Sequence, residues 1–293
     1  MLSAAILIPA VLNGLLMGAV YALVALGLTL IYGVLHIINF AHGALLSAAL
    51  FAAFFAFKLI GLDPYLALFL LAPLFFVLGY GLQRFVIGPA SHGDDRNMLL
   101  VTLGIAVIIE NALLYNFRGD TRTIDVPYAF QTFNLGVTYL AVPRVVGFVA
   151  VFVVALALWL LMTFTDIGRA IRAVAKEKLG AQLVGIDVGH VYAMTFGLGT
   201  ACVAIAACLL IPTYYVNPGV GNAFVLVAFT IVVLGGMGSV PGAIVASLFL
   251  GLIESFGAVY ISFQYRDAFG LILLMLFLLF RPQGLFGEKG REV

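Results

Sequence analysis

Apolar residues run through this chain in stretches long enough to cross a membrane, and short polar or turn-forming segments separate them. About 20 apolar residues in a helix span the roughly 30 Å hydrocarbon core of a bilayer. The pattern predicts an all-α polytopic membrane protein, with eight or nine transmembrane helices in one domain over residues 1–293. The predicted spans are 11–33, a second that ends near 57, 64–87, 98–117, 145–164, 191–212, 223–234, 243–257 and 268–280.

The glycine-rich stretch LGGMGSVPGA, residues 234–243, decides between eight and nine spans. Glycine and proline at this density disfavour an uninterrupted helix. Nine spans result if the stretch is a tight turn between a shortened span and a further one. Eight result if it lies within one broken or re-entrant helix.

The segment 165–190, TDIGRAIRAVAKEKLGAQLVGIDVGH, is a strongly charged interruption of the apolar pattern. Ile167, Ile171 and Val174 recur at helical spacing with basic residues between them, which predicts a short amphipathic helix. A second short helix is expected to follow and to join the first near a glycine. The segment is either a rigid projection that another protein binds or a solvated connector whose positive charges set the membrane topology.

Polar side chains also occur inside the predicted spans, where burial is costly unless the group is paired or lines a water-filled path. Residues at such positions are candidates for a translocation pathway. They are Asn39, His42, Glu110, Asn111 and Glu254. The alternative is structural: Asn39 and His42 can bridge a helix break, and Glu110 can form a hydrogen bond between helices.

The distribution of basic residues predicts an orientation. With nine spans and the N-terminus outside, nine of the 14 Lys and Arg residues fall on the cytoplasmic side, where such residues are enriched. The segment 165–190 and the C-terminal tail are then cytoplasmic, and the polar residues 118–144 form a partly ordered external loop. No basic residue precedes the first apolar run, so we expect no cleaved signal peptide.

Composition and missing motifs exclude several classes of protein. Hydrophobic residues make up 64% of the 293 residues and charged residues 9%, which is too apolar for one soluble core. The net charge of +1 argues against a nucleic-acid partner. No P-loop, zinc-binding HExxH motif or nucleophile elbow occurs, and Cys202 and Cys208 fit two buried thiols. We therefore predict no catalytic residues, metal or cofactor in this chain, and a transport energy supplied by a gradient or by a separate subunit.

Four stretches together resemble one family of membrane proteins. They are NGLLMGAVYALVALGLTLIYGVLHIINFAHG (13–43), GRAIRAVAKEKLGAQLVGID (168–187), TFGLGTACVAIAAC (195–208) and VLGGMGSVPGAIVASLFLGLIES (233–255). In sequence and order they are similar to the permease subunits of branched-chain amino-acid ABC importers, specifically the LivH-like half. The resemblance covers almost the whole chain.

The resemblance implies an importer made of several chains in the bacterial inner membrane. A homologous second permease, two cytoplasmic ATPase subunits and a periplasmic substrate-binding protein would be the partners, with ATP and Mg²⁺ on the ATPases. The segment 165–190 would be the cytoplasmic coupling segment, which docks on an ATPase. Its positions that match the family pattern are Arg169, Arg172, Glu177, Gly185 and Asp187.

Three departures from the family pattern leave the substrate open. Ala44 and Val227 stand where the family often has Glu and Lys, and Glu110 stands where it often has Gln. Branched-chain or other hydrophobic amino acids are the expected substrates, and urea, short amides or small carboxylates are the alternatives. A self-sufficient secondary carrier or channel, with Glu110 and Glu254 as proton relays, is the alternative from another class.

Overall fold

Helices make up nearly all the regular structure in the computed structural model, which describes residues 4–91, 95–134, 136, 138–281 and 283–287. The helices are α1 (Ala4–Leu35), α2 (Ala41–Ile60), α3 (Pro64–Gly81), α4 (Gly88–Ser91), α5 (Asp95–Phe117), α6 (Val142–Phe164), α7 (Asp166–Lys176), α8 (Lys178–Leu183), α9 (Val188–Leu210), α10 (Val220–Gly235), α11 (Val240–Tyr260) and α12 (Arg266–Phe280). A π-helix at Leu82–Ile87 joins α3 to α4, and a 3-10 helix at Phe263–Tyr265 precedes α12. Strands β1 (Thr132–Asn134) and β2 (Tyr139–Ala141) form an antiparallel hairpin.

Seven helices in the described part of the chain are long and apolar enough to cross a membrane. This confirms the all-α class, and the chain is a multi-pass membrane protein. Two shorter apolar helices, Val220–Gly235 and Ala268–Phe280, lie at the other two predicted spans.

Helix α1 lies at the centre of the fold, where it packs against α6, α9, α10 and α11. Gly14 and Gly18 of α1 make a close helix contact with α11. A Cβ atom on Gly18 would lie 2.5 Å from the Ser247 carbonyl oxygen, and one on Gly251 would lie 2.3 Å from the Gly14 carbonyl oxygen. Glycine at these positions therefore allows the two backbones to touch.

The outer helices expose large apolar side chains. Phe69 on α3, Ile108 on α5 and Met275 on α12 are exposed over 73%, 69% and 73% of their surface. Such faces are stable in contact with lipid or with another membrane subunit.

The stretch 234–243 forms a tight turn between α10 and α11, and the choice between eight and nine spans stays a prediction. Helix α10 ends at Gly235, and Gly236 and Gly238 follow with φ angles of 94° and 93°. These angles suit glycine because a Cβ atom would be strained there. Ser239 then caps α11 by accepting a hydrogen bond from the Gly242 amide at 3.1 Å.

The predicted external loop, 118–144, is held against the ends of helices by Arg122. The backbone of Arg122 forms two hydrogen bonds with the backbone of Val216, which lies between α9 and α10. Their N–O distances are 2.9 and 2.7 Å. Its guanidinium carbon also lies 5.5–5.9 Å from the centres of three aromatic rings, a cation–π arrangement. The rings are those of Phe54, Phe55 and Phe117. The loop is therefore linked to the α9–α10 connection.

Candidate functional site

The segment 165–190 connects α6 to α9 through α7 and α8 and is shaped by its own polar side chains. Each of its three helix starts is capped by a side-chain oxygen that accepts a hydrogen bond from a backbone amide. The pairs are Thr165 with Gly168, Glu177 with Leu179, and Asp187 with His190, at 3.0, 3.3 and 3.0 Å. Capping at every change of direction favours one defined shape for the segment.

The two short helices join at Glu177, so the predicted junction near a glycine is wrong. Glu177 has an extended backbone, with φ −153° and ψ 102°, which ends α7. Its carboxylate then caps α8, and Gly180 lies inside α8. Gly185 instead follows α8 with a φ angle of 86° and closes the end of that helix.

Two arginines of α7 make different contacts. Arg169 bonds within α7, and Arg172 bonds to the end of α6. Arg169 forms an ion pair with Asp166, one turn earlier. The Arg172 guanidinium donates a hydrogen bond to the carbonyl oxygen of Met162, in the last turn of α6. Arg172 therefore links α7 to α6, whereas the ion pair of Arg169 lies within α7, and the role of both residues in coupling stays a prediction.

Asp187 ties the far end of the segment to the π-helix. One carboxylate oxygen caps α9, and the other lies 3.5 Å from Nη1 of Arg84. The hydrogen bond from the His190 amide, and secondarily the charge of Arg84, hold the pKa of Asp187 below its usual value. The carboxylate is therefore ionised throughout the physiological range.

The apolar side chains of the segment divide into a buried and an exposed set. Ile171 and Val174 are buried, at 2% and 3% exposure, but Ile167 is 41% exposed and lies off the predicted buried face. Three further side chains are strongly exposed. They are Leu179, Leu183 and Val184, at 68%, 88% and 76%, and are called the α8 apolar patch below. They were not among the predicted site residues, although adjacent apolar residues in a charged, water-exposed segment are the signal that could have found them.

Asn39 and His42 are fully buried at the junction of α1 and α2. Asn39 Oδ1 accepts a hydrogen bond from the Ala41 amide at 3.0 Å. His42 Nε2 donates to the Val24 carbonyl oxygen at 2.9 Å, because a carbonyl oxygen can only accept. These bonds support the interpretation as a bridge across a helix break, and a pathway role stays a prediction.

Glu110 and Asn111 are adjacent in α5 but have different surroundings. Glu110 Oε1 accepts a hydrogen bond from Nδ2 of Asn222 on α10 at 3.0 Å, which is the predicted structural alternative. A Cβ atom on Gly219 would lie 3.7 Å from the same oxygen. Asn111 is exposed and donates to the Val107 carbonyl oxygen of its own helix at 2.8 Å.

Glu254 lies in the wall of a cavity of about 460 Å³, called the Glu254 cavity below. Helices α1, α10, α11 and α12 and the α9–α10 connection supply the lining residues. Glu254 is only 2% exposed, and its Oε2 accepts a hydrogen bond from the Tyr21 hydroxyl at 2.7 Å. Val227, one of the three positions that differ from the family pattern, also lines the cavity. Ala44, another of these positions, is buried in α2.

The five pathway candidates are therefore not brought into one cluster. Glu254 lines the cavity, and Glu110 lies beside Gly219, which is part of the cavity wall. Asn39, His42 and Asn111 are not among its lining residues.

A comparison with protein families matches residues 10–280 to the model described as branched-chain amino acid transport system / permease component. The chain belongs to this family. The recognition made from the four sequence stretches is thereby confirmed.

Individual permeases of this family align with nearly the whole chain. The high-affinity branched-chain amino acid transport system permease protein BraD of Pseudomonas aeruginosa is 35% identical and covers 96% of this chain and 95% of its own length. The LivH permease of Escherichia coli K12 is 30% identical, with the same shares covered. The probable LivH of Methanocaldococcus jannaschii is 28% identical over 92% of this chain and 90% of its own. No solved structure matches the chain significantly.

Membership of the branched-chain amino acid permease family identifies the chain as a transport permease. The Glu254 cavity and the 165–190 segment are therefore regions of a transport protein, one embedded among its apolar helices and one at a surface connection between two of them.

Proposed function

We propose that this chain forms part of the translocation pathway of an ATP-driven importer for branched-chain or other hydrophobic amino acids. A periplasmic binding protein delivers the substrate, and a homologous second permease completes the pathway in the bacterial inner membrane. Two ATPase chains on the cytoplasmic side hydrolyse ATP, and this chain is non-catalytic. The family match and the names of the relatives support this proposal.

The observation that carries the coupling role is the α8 apolar patch on a capped segment. Leu179, Leu183 and Val184 are strongly exposed in a part of the chain too charged to lie in lipid. Exposed apolar patches on water-facing surfaces mark sites where another protein binds. In this proposal the patch binds the ATPase, and the charged positions Arg169, Arg172, Glu177 and Asp187, with Gly185, hold the segment in the shape that docks.

Movement of the ATPase can reach the membrane helices through two attachments of the segment. Helix α7 packs its buried face on α1 and α9, and Asp187 contacts Arg84 in the π-helix after α3. A rigid connection at both ends transmits a rigid-body motion better than a flexible loop does. The proposed topology has nine spans, with 165–190 in the cytoplasm and 118–144 outside.

Purification of the chain from its native membrane in mild detergent tests the proposal. Co-purifying chains are identified, and any soluble receptor among them is screened for ligands. Two ATPases, a second permease and a receptor that binds leucine, isoleucine or valine are the expected result. A receptor for urea, an amide or a carboxylate would reassign the substrate, and a chain that is isolated alone and transports without ATP would be a carrier.

A further inference from the structure

We propose that α5 is the helix through which this chain pairs with the homologous second permease, and that Asn111 forms a hydrogen bond to a helix of that partner. The inference rests on the proposed importer function and deepens it, because it locates the contact between the two membrane subunits.

Helix α5 leaves one long face of its span uncovered. Its buried residues Met98, Thr102 and Ile105 lie on the opposite side, and the helix packs against α2. Four exposed residues lie on the uncovered face and are called the α5 row below. They are Leu100, Val107, Asn111 and Leu114. Intervals of seven, four and three residues place their side chains in one line along the helix, as in the seam between two paired helices.

Asn111 places a polar group at membrane depth. It lies six residues before the end of α5 at Phe117, or roughly 9 Å along the axis at 1.5 Å per residue. Its Nδ2 donates one hydrogen bond to the Val107 carbonyl oxygen of its own helix at 2.8 Å. Asparagine has a second amide proton and a carbonyl oxygen, which can bond to a group on a neighbouring helix. Exposure of this amide to lipid is unfavourable, so a partner with a polar group is favoured there.

The exposed faces of the other outer helices differ from that of α5. In the parts that the structure describes, the exposed side chains of α3, of α6 and of residues 268–280 in α12 include no amide and no charged group. Those faces suit lipid, whereas an amide within an apolar row suits another membrane helix.

The depth and composition of the α5 row select the occupant. A soluble ATPase or receptor does not reach into the hydrocarbon layer, and the leucine and valine side chains on both sides of Asn111 favour helix packing over a water-filled path. The second permease is the other membrane-embedded chain of the proposed importer. It is therefore the partner that fits the α5 row.

Photo-cross-linking in the intact transporter, in its native membrane, tests the contact. Benzoylphenylalanine replaces Val107 in the α5 row or, as the matched control, Val153 on the exposed face of α6. The two valines are similarly exposed, at 52% and 60%. Mass spectrometry identifies the adducts. We expect the Val107 position to give an adduct with the homologous second permease and the Val153 position to give adducts with lipid.

Two asparagine variants test the hydrogen bond itself. Asn111→Leu should weaken association with the second permease in detergent by about three- to thirtyfold, the range for hydrogen bonds between membrane helices. Asn116→Leu is the matched control. Asn116 is also exposed and donates to a carbonyl oxygen of its own helix at 2.7 Å, but it lies outside the α5 row. It should associate like the parent protein.

Three results would overturn the contact: adducts of the Val107 position with lipid alone, adducts of that position with a copy of this chain, or unchanged association in Asn111→Leu. Purification of the transporter shows in parallel whether a second permease is present. If it is present while one of these results is found, the contact fails and the importer function stands. If no second permease co-purifies, the proposed importer function fails instead.

Discussion

The Glu254 cavity and the 165–190 segment use polar side chains differently. In the cavity a buried carboxylate is bonded to a tyrosine on another helix, 233 positions away in the sequence, among aliphatic side chains. In the segment the helix caps and the ion pair of Arg169 join groups close in sequence, Asp187 also contacts the distant Arg84, and large apolar side chains are exposed. The contrast fits one region enclosed among apolar helices and another that presents a surface to its surroundings.

The largest effect is expected from a charge placed in the α8 apolar patch. Leu183→Asp, and separately Glu177→Lys, should abolish ATP-driven uptake, because the first disrupts the docking surface and the second removes the cap of α8. Gln182→Asp adds the same charge at the neighbouring exposed position and should retain most uptake. Uptake and the amount of protein in the membrane are measured together, and normal uptake by Leu183→Asp would refute the docking role.

The next effect concerns the contact that brings α1 and α11 together around the cavity. Gly251→Ala places a methyl group 2.3 Å from the Gly14 carbonyl oxygen and should destabilise the protein by about 1–3 kcal/mol. Gly104→Ala is the matched control, since its added Cβ would meet no described atom within 4 Å beyond its chain neighbours and the nearby backbone of its own helix. Thermal unfolding in detergent measures both variants. If Gly251→Ala is as stable as Gly104→Ala, α1 and α11 can move apart without a loss of stability.

A smaller effect is expected at the attachment of the segment to α9. Asp187→Ala removes the cap and should cost about 1 kcal/mol, whereas Asp187→Asn keeps an acceptor and loses only the exposed ion pair with Arg84. Because the folded-state pKa of Asp187 is lowered, its contribution is present above the usual carboxylate pKa and is lost as the pH falls through the lowered value. Stability of the parent and the two variants is compared at neutral and acid pH. An Asn variant as unstable as the Ala variant at neutral pH would shift the main effect to the ion pair.

The smallest effect is expected at Glu110. Glu110→Gln keeps a carbonyl oxygen that can accept from Asn222, so transport should be largely retained. The initial uptake rates of Glu110→Gln and of the parent protein are compared to test this expectation. Complete loss of uptake in Glu110→Gln would favour a proton relay and therefore a carrier.

Patterns local in sequence predicted most of the fold and only part of the site. Span positions, the start of α3 at Pro64 and the turn after Gly235 follow from apolar length and from proline and glycine, which act within a few residues. The bond between Tyr21 and Glu254 joins the first and eleventh helices, and no local pattern records which helices become neighbours. Apolar residues in a charged segment mark Leu183 as a candidate, but its exposure depends on packing, because a leucine in a short amphipathic pattern is equally compatible with burial.

Leucine uptake into proteoliposomes that contain this chain and its co-purified partners, with the loaded receptor outside, tests the central claim most directly. Uptake is compared with ATP, with a non-hydrolysable analogue, and with ATP after the proton gradient has been collapsed. We expect uptake that requires hydrolysable ATP and persists without the gradient. Uptake by this chain alone, driven by the gradient and independent of ATP, would contradict the importer function.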